Sequence, residues 1–153
     1  MSHRALYCYD HVNRPFAEVS EAVLANPRYV FRHATGATHA HDAALHVDLA
    51  GIELGTEAVI DVTGVERGRE STTLTLAWQA VRHPHLFPEL HATLVIAAVA
   101  PQETRLEVRG TYEPPLGRVG EVLDAVAGHR VAEAVVDRFV HEIAGWLREE
   151  LAS

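Results

Sequence analysis

The C-terminal part of the chain carries a pattern of apolar residues that is typical of an amphipathic helix. Apolar residues recur there every three or four positions, which places them along one side of a helix. They are Val131, Ala132, Val135, Val136, Phe139, Val140, Ile143, Trp146, Leu147 and Leu151. The pattern predicts a helix over residues 127–151, about 37 Å long at roughly 1.5 Å per residue. Such a helix must bury its apolar stripe against a surface of similar length.

Between residues 42 and 112 the period of the pattern changes to two, which is typical of strands with one buried face. The clearest alternation is in residues 71–81, where Leu74, Leu76 and Trp78 share one face. The pattern predicts five strands, at residues 42–49, 56–65, 71–81, 89–100 and 104–112. Short turns, including residues 51–55 and 66–70, separate them. Consecutive strands joined by short turns predict an antiparallel meander.

The N-terminal part adds a strand and one or two short helices. Weak alternation predicts a strand over residues 3–12, and Asn13-Arg14-Pro15 is typical of a helix start, with Asn13 as the cap. That helix should end near Ala25, and a second short helix should cover residues 27–33. The fold class is therefore α+β. We expect a curved antiparallel sheet of about six strands wrapped around the long C-terminal helix, in a single domain over residues 1–153.

Composition narrows the possible partners and location. The formal net charge of −8 argues against nucleic acid and anionic membranes as partners, because both favour a basic surface. The single cysteine, Cys8, excludes an intramolecular disulfide and fits a reducing compartment. The N-terminus lacks the apolar core of a signal peptide, and no apolar run approaches the roughly 20 residues of a membrane span. We therefore expect a cytoplasmic protein without membrane insertion.

Several segments resemble the START/Bet v 1-like superfamily (SRPBCC), and within it the bacterial polyketide cyclase/dehydrase and lipid-transport group. They are Asn13-Arg14-Pro15-Phe16 with Val19, Leu76-Ala77-Trp78, and Gly110-Thr111-Tyr112-Glu113-Pro114-Pro115-Leu116-Gly117. Leu123-Asp124, the segment from His129 to Ala134, and Phe139 fit the same pattern. The resemblance covers nearly the whole chain in the order of its elements. It implies a helix-grip fold with a deep hydrophobic cavity for lipids, sterols, polyketides or hormones. It carries over no catalytic residue, because the family has no general catalytic signature.

The residues themselves give no strong signal for a metal, a cofactor or a nucleophile. The densest histidine groups are His39 and His41 with His46, and His83 and His85 with His91. Neither group has an identifiable third ligand or a cysteine partner, so solvated histidines are favoured over zinc ligands. No G-x-S-x-G, G-x-G-x-x-G or P-loop motif is present. We therefore expect no metal and no cofactor, and we assign no catalytic residue.

A curled sheet that grips a helix leaves space for an apolar ligand between the two. Residues on the apolar strand faces and the helix stripe should line it. They are Leu74, Leu76, Trp78, Leu106, Val108, Tyr112, Val135, Phe139 and Ile143. Trp78 and Phe139 fit either the core or a cavity wall. Tyr112 fits either a core tyrosine or a hydrogen-bond donor to a ligand carbonyl.

Three functions remain open at this point. The first is binding of a hydrophobic small molecule, lipid-like or polyketide-like. The second is a cyclase or dehydratase acting on a polyketide-like substrate in the same cavity. Convergent titratable groups inside the cavity would favour this enzyme. The third is a protein-binding helper, which would need a large exposed apolar patch. A homodimer is compatible with all three. Residues 114–117 fit either a cavity gate or a rigid corner between strand and helix.

Overall fold

The computed structural model describes residues 4–35, 42–49, 52–80, 89–113 and 125–152 of the 153-residue chain. Its elements in chain order are β1 (Arg4–Val12), α1 (Phe16–Ala25), α2 (Pro27–Thr35), β2 (Asp42–Leu49), β3 (Ile52–Arg67), β4 (Ser71–Ala80), β5 (Glu89–Ala100), β6 (Glu103–Glu113) and α3 (Ala125–Glu150). The 26-residue helix α3 corresponds to the predicted C-terminal helix. Among the described residues, no helix combines the length and the apolar character needed to cross a membrane.

The six strands form one antiparallel sheet in the order β1-β6-β5-β4-β3-β2. Strands β2 to β6 are the predicted meander, and β1 pairs with the last of them. Helix α3 contacts β1, β6 and β2 and lies on the same side of the sheet as α1 and α2. The predicted α+β helix-grip architecture is confirmed.

Two local predictions were wrong. Residues 52–55, predicted as part of a turn, belong to β3, where Ile52 pairs with Leu49 and Gly55 pairs with His46. The ladder to β2 satisfies backbone groups that a wider turn would leave unpaired. Asn13 does not cap α1, because Pro15 occupies the N-cap position and makes no side-chain cap hydrogen bond. The chain turns earlier, through a hydrogen bond from the Arg14 N–H to the Val12 carbonyl.

The core lies between the helices and the side of the sheet that faces them, called here the helix-facing side. The sheet contributes Leu6, Val12, Ile60, Leu74, Leu76, Ala92, Leu94, Ile96, Leu106 and Val108 to it. Helix α3 contributes five residues of the predicted stripe, Val136, Phe139, Val140, Ile143 and Leu147, together with Ala144. Helix α2 packs against α3 through Phe31 and Phe139, whose rings are arranged edge to face with 5.2 Å between centroids. Of the predicted stripe, Val136, Phe139, Val140, Ile143 and Leu147 are therefore buried as its periodicity predicted, and Trp146 and Leu151 are partly buried.

Gly110 marks a close approach of β5 and β6. A Cβ atom there would lie 2.6 Å from the carbonyl oxygen of His91 and 2.8 Å from the Cβ of Ala92. Both distances are shorter than a van der Waals contact, so only glycine fits without a backbone shift. Register shifts in β3, between Val62 and Gly64, and in β5 give the sheet further bends.

We expect Gly110→Ala to lower the free energy of unfolding by about 1–3 kcal/mol, because the added methyl overlaps the neighbouring strand. Gly145→Ala is the matched control. Gly145 lies within α3 with nothing within 4 Å of an added Cβ. That change should stabilise the protein by roughly 0.5–1 kcal/mol through helix propensity. Urea unfolding of both variants measures the difference, and equal effects would contradict the close approach at Gly110.

We expect Phe139→Ala to lower the free energy of unfolding by about 3–5 kcal/mol, because the Phe139 side chain is 3% exposed and packs against Phe31. Val99→Ala is the control, since Val99 is 44% exposed and its truncation should cost within about 0.5 kcal/mol. Urea melts of the two variants give the comparison. A loss below about 1 kcal/mol for Phe139→Ala would mean that its ring borders open space.

Candidate functional site

Strand register places residues of neighbouring strands in rows across the helix-facing side. Three successive rows are Leu74–Leu94–Val108–Cys8, Leu76–Ala92–Gly110–Leu6 and Trp78–Leu90–Tyr112–Arg4. They are called here the Leu74 row, the Ala92 row and the Trp78 row. Because side chains alternate along each strand, all three rows lie on the side that carries the core.

On the central strands the residual exposure rises slightly from the Leu74 row toward the Trp78 row, whereas Cys8, at the β1 end of the Leu74 row, is half-buried. Leu74, Leu94 and Val108 are all 0% exposed, so protein atoms enclose them entirely. In the next row, Ala92 is 6% exposed and Leu6 is 4% exposed. Ile60, which pairs with Trp78, is 9% exposed. The accessible surface thus increases toward one end of the helix-facing side, where a ligand could enter.

Helix α3 spans this side from one edge strand to the other. It contacts β1 and β6 at one edge and β2 at the opposite edge. Among the described residues, its backbone comes closer to these strands than to β3, β4 and β5 in the middle of the sheet. A straight helix across a curved sheet rests on the edges, and the space over the middle strands is left for side chains or a ligand.

Six of the nine predicted lining residues belong to one core cluster. Leu74, Leu76, Leu106, Val108, Phe139 and Ile143 are each at most 3% exposed. The backbone of the other three is described, but their side chains lie outside the described part of the structure. Register brings Trp78 and Tyr112 into the same row with Leu90 between them, and Val135 lies on α3. Contact of these nine residues with a ligand stays a prediction.

Sequence reasoning missed the residues where packing loosens. Ala92, Gly110, Leu6 and Ile60 were not among the predicted lining residues, although the Ala92 row separates the enclosed Leu74 row from the Trp78 row. Periodicity gave the correct face for each strand. It could not give the register that brings the two small residues, Ala92 and Gly110, side by side.

A polar cluster joins α3 to β1 beside the core. His141 lies between two carboxylates, with Nδ1 2.8 Å from Oδ2 of Asp10 and Nε2 3.1 Å from Oδ1 of Asp137. Nη2 of Arg148 donates to Oδ1 of Asp10 at 3.0 Å and to the carbonyl of His11 at 2.6 Å. The four side chains connect two elements that are more than 130 residues apart in the sequence.

The cluster shifts the pKa values of its members. The hydrogen bond to Asp10 raises the pKa of His141 above its ordinary 6.5, and Asp137 adds to this against the opposing effect of burial. Partial burial would raise the pKa of Asp10. The His141 hydrogen bond, the His11 N–H and the Arg148 charge together lower it instead. Burial raises the pKa of the nearby Cys8 thiol, and the charges of Asp137 and Glu133 raise it further. A protonated, half-buried thiol is a poor nucleophile.

A second charged network lies on the opposite side of the sheet. Glu107 is buried there between Arg105, whose Nε is 2.7 Å from Oε1, and Arg109, whose Nη2 is 3.2 Å from Oε2. The hydroxyl of Tyr7 donates to the same carboxylate at 3.1 Å. Side-chain alternation keeps these groups away from the helix-facing side, so they take no part in the site.

A groove of about 580 Å³ lies between α1 and the end of β3. The residues that border it are Phe16, Ala17, Ser20, Glu21, Leu24, Ala25 and Arg67. Arg67 pairs with Thr72, three rows away from Trp78 along the sheet. The groove is therefore not the predicted cavity, and it lies at the opposite end of the helix-facing side.

The remaining sequence candidates lie mostly outside the described residues. This holds for His39, His41, His83, His85 and for the Pro114-Pro115-Leu116-Gly117 segment. Within the described ranges, no group of three or more His, Cys, Asp or Glu side chains could hold a metal ion.

No protein-family model and no curated protein sequence matches the chain. Solved structures do match over nearly its whole length. An aromatase/cyclase from a Streptomyces species is 15% identical, with a TM-score of 0.53, over 98% of this chain and 96% of that one. A START superfamily protein from Mycobacterium smegmatis is 15% identical, with a TM-score of 0.52, over 98% and 99%. Ara h 8.0201 is 10% identical, with a TM-score of 0.57, over 99% and 100%.

These identities are too low to transfer an activity, but the near-complete coverage of both chains compares whole folds rather than a shared motif. The chain therefore shares the fold of these structures, in agreement with the helix-grip fold that the resemblance in its sequence implied.

Proposed function

We propose that the chain, as a single cytoplasmic domain, binds a hydrophobic small molecule, lipid-like or polyketide-like, between α3 and the middle strands of the sheet. The ligand would lie above the Ala92 row and beside Trp78 and Tyr112. The observation that carries this proposal is the increase in accessible surface from the Leu74 row to Ala92 and Ile60.

The chemistry of the rows favours an uncharged ligand. Neither the Leu74 row nor the Ala92 row contains an Asp, Glu, Lys, Arg or His residue, and the Trp78 row contains one, Arg4, at its end on the edge strand β1. A charged group bound there would lose its hydration without gaining a partner, which is costly. The ligand should therefore be mostly hydrocarbon or aromatic. The net charge of −8 supports the same assignment over nucleic acid binding.

The second candidate function is a cyclase or dehydratase, which the likeness to an aromatase/cyclase brings into consideration. Such chemistry needs an acid or a base that faces the substrate. Of the described titratable groups nearest to these rows, Asp10 is held by His141 and Arg148, and the pKa of Cys8 is raised. These observations favour binding over catalysis. Release of a cyclised or dehydrated product from a poly-β-keto substrate would reverse that preference.

We expect an apolar ligand to quench the tryptophan fluorescence of the protein, and Trp78→Phe to remove most of that quenching, because Trp78 lies in the row at the less packed end. Trp146→Phe is the matched control. Trp146 lies near the end of α3 against Tyr29, with 6.1 Å between ring centroids, and its loss should leave the quenching intact. A panel of fatty acids, sterols and aromatic polyketides supplies the ligands, with thermal shift as a second measurement. No quenching and no thermal shift across the panel would exclude the proposed function.

Filling the proposed site should block it without unfolding the protein. We expect Ala92→Leu to weaken binding of the best ligand at least about tenfold and to leave stability within about 1 kcal/mol, because the larger side chain enters open space. Val108→Leu is the control, since Val108 is 0% exposed and overpacking there should cost about 1–3 kcal/mol. Ligand titration and urea unfolding of both variants test this. Equal destabilisation would show that side chains already fill the space above Ala92.

A further inference from the structure

The polar cluster of Asp10, Asp137, His141 and Arg148, called here the latch, connects α3 to β1. Its contacts are not equivalent. Arg148 bridges the Asp10 carboxylate and the His11 carbonyl, and its charge does not change at any physiological pH. His141 bridges Asp10 and Asp137, and a histidine changes its charge near neutral pH.

The contacts of His141 are best satisfied when its ring carries two protons. Each ring nitrogen lies within 3.1 Å of a carboxylate oxygen, and a carboxylate can only accept. An imidazolium donates to both oxygens. A neutral imidazole donates to one of them and turns a lone pair toward the other, so one of the two contacts becomes repulsive. Loss of a single proton therefore removes one of the two contacts, of which the one to Asp10 joins α3 to β1 and the one to Asp137 lies within α3.

The latch has a defined place along α3. Asp10, near the end of β1, meets His141 and Arg148, whereas Cys8 is nearest to the charges of Asp137 and Glu133. Helix α3 thus runs in the same direction as β1, and its residues before Glu133 continue toward Leu6 and Arg4. Those β1 residues belong to the Ala92 and Trp78 rows. The first half of α3 therefore extends toward the less packed end of the helix-facing side.

We propose that the latch is a proton-dependent fastening of α3, in which Arg148 is a permanent anchor and His141 releases the first half of the helix when it loses a proton. Opening would admit or release the ligand, and this last step rests on the proposed function. The groups that act on His141 are Asp10 from β1 and Asp137 from α3, with Cys8, Glu133 and Arg148 around them.

The direction of the pH dependence follows from the protonation states. Because the folded protein raises the pKa of His141, the stabilisation is complete below the ordinary value of 6.5 and is lost as pH rises through the folded value. Because the folded protein lowers the pKa of Asp10, its contribution is complete above 3.8 and is lost only as pH falls through the folded value. The latch is therefore tightest between these two ordinary values and opens on the alkaline side of the upper one.

Amide hydrogen exchange of the full chain, corrected for intrinsic exchange rates, tests the latch without any ligand. We expect the protection of the first half of α3 to fall several-fold between about pH 6 and pH 8.5, with residues around Arg148 little changed. In His141→Gln, the first half of α3 should have low exchange protection over the whole pH range, without the fall expected in the parent protein. His11→Gln is the matched control, because the His11 ring packs against Tyr9 on the opposite side of the sheet, and it should behave as the parent protein.

A second variant separates the fastening from a general loss of stability. Asp137→Asn removes one carboxylate from His141 and leaves the Arg148 contacts in place. It should lower the pKa of His141, followed by NMR of the ring protons, and move the exchange step to lower pH by the same amount. The same exchange profile in the parent protein, His141→Gln and His11→Gln would overturn the proposal.

Uptake of N-phenylnaphthylamine, an uncharged aromatic probe, distinguishes the latch from the proposed function. We expect its binding rate to rise with pH over the same window as the exchange step, and to be independent of pH in His141→Gln. A pH-dependent fall in exchange protection without probe binding at any pH would support the latch and exclude the proposed function. Probe binding at one rate at every pH, despite an exchange step, would keep the proposed function and overturn the control of access by the latch.

Discussion

Burial of the apolar stripe of α3 against one side of the sheet is the constraint on which the rest of the structure depends. A 26-residue helix with apolar residues along one side cannot remain solvated on that side, and a sheet with one apolar face has the same problem. Packing the helix on the sheet removes both apolar surfaces from water. Helices α1 and α2 complete the cover, and the edge-on contact of Phe31 with Phe139 fixes α2 to the middle of the long helix.

The same constraint explains why packing is uneven. A sheet that bends around a straight helix touches it at the edges first, and α3 accordingly contacts β1, β6 and β2 more closely than the strands between them. Large side chains fill the space at the Leu74 row, where Leu74, Leu94 and Val108 are 0% exposed. In the next row Ala92 and Gly110 cannot fill it, and Gly110 cannot be enlarged because β5 lies too close. The small residues of that row thus follow from how closely two strands approach, and not from a lack of apolar residues.

Periodicity was sufficient for the elements of this fold but not for their alignment. The helix stripe and the strand alternation predicted α3, the meander and the face on which Leu74, Leu76 and Leu106 lie, because these depend on residues close in sequence. The start of β3 at Ile52 and the absence of an Asn13 cap depend on hydrogen bonds that the pattern does not encode. The Ala92 row depends on register between strands, and the contact of Asp10 with His141 spans 131 positions. Neither has a signal in a single sequence.

The two kinds of contact that hold α3 respond differently to the surroundings. Apolar burial of residues such as Ile143 and Leu147 does not depend on pH and keeps the second half of the helix in place. The latch is half exposed, with His141 at 50% and Asp137 at 58%, so each of its contacts contributes little stability. Contacts this weak are suited to controlling the position of the helix. A contact worth a small part of the total stability can change the position of one half of a helix as a proton leaves, while the core that holds the other half stays folded.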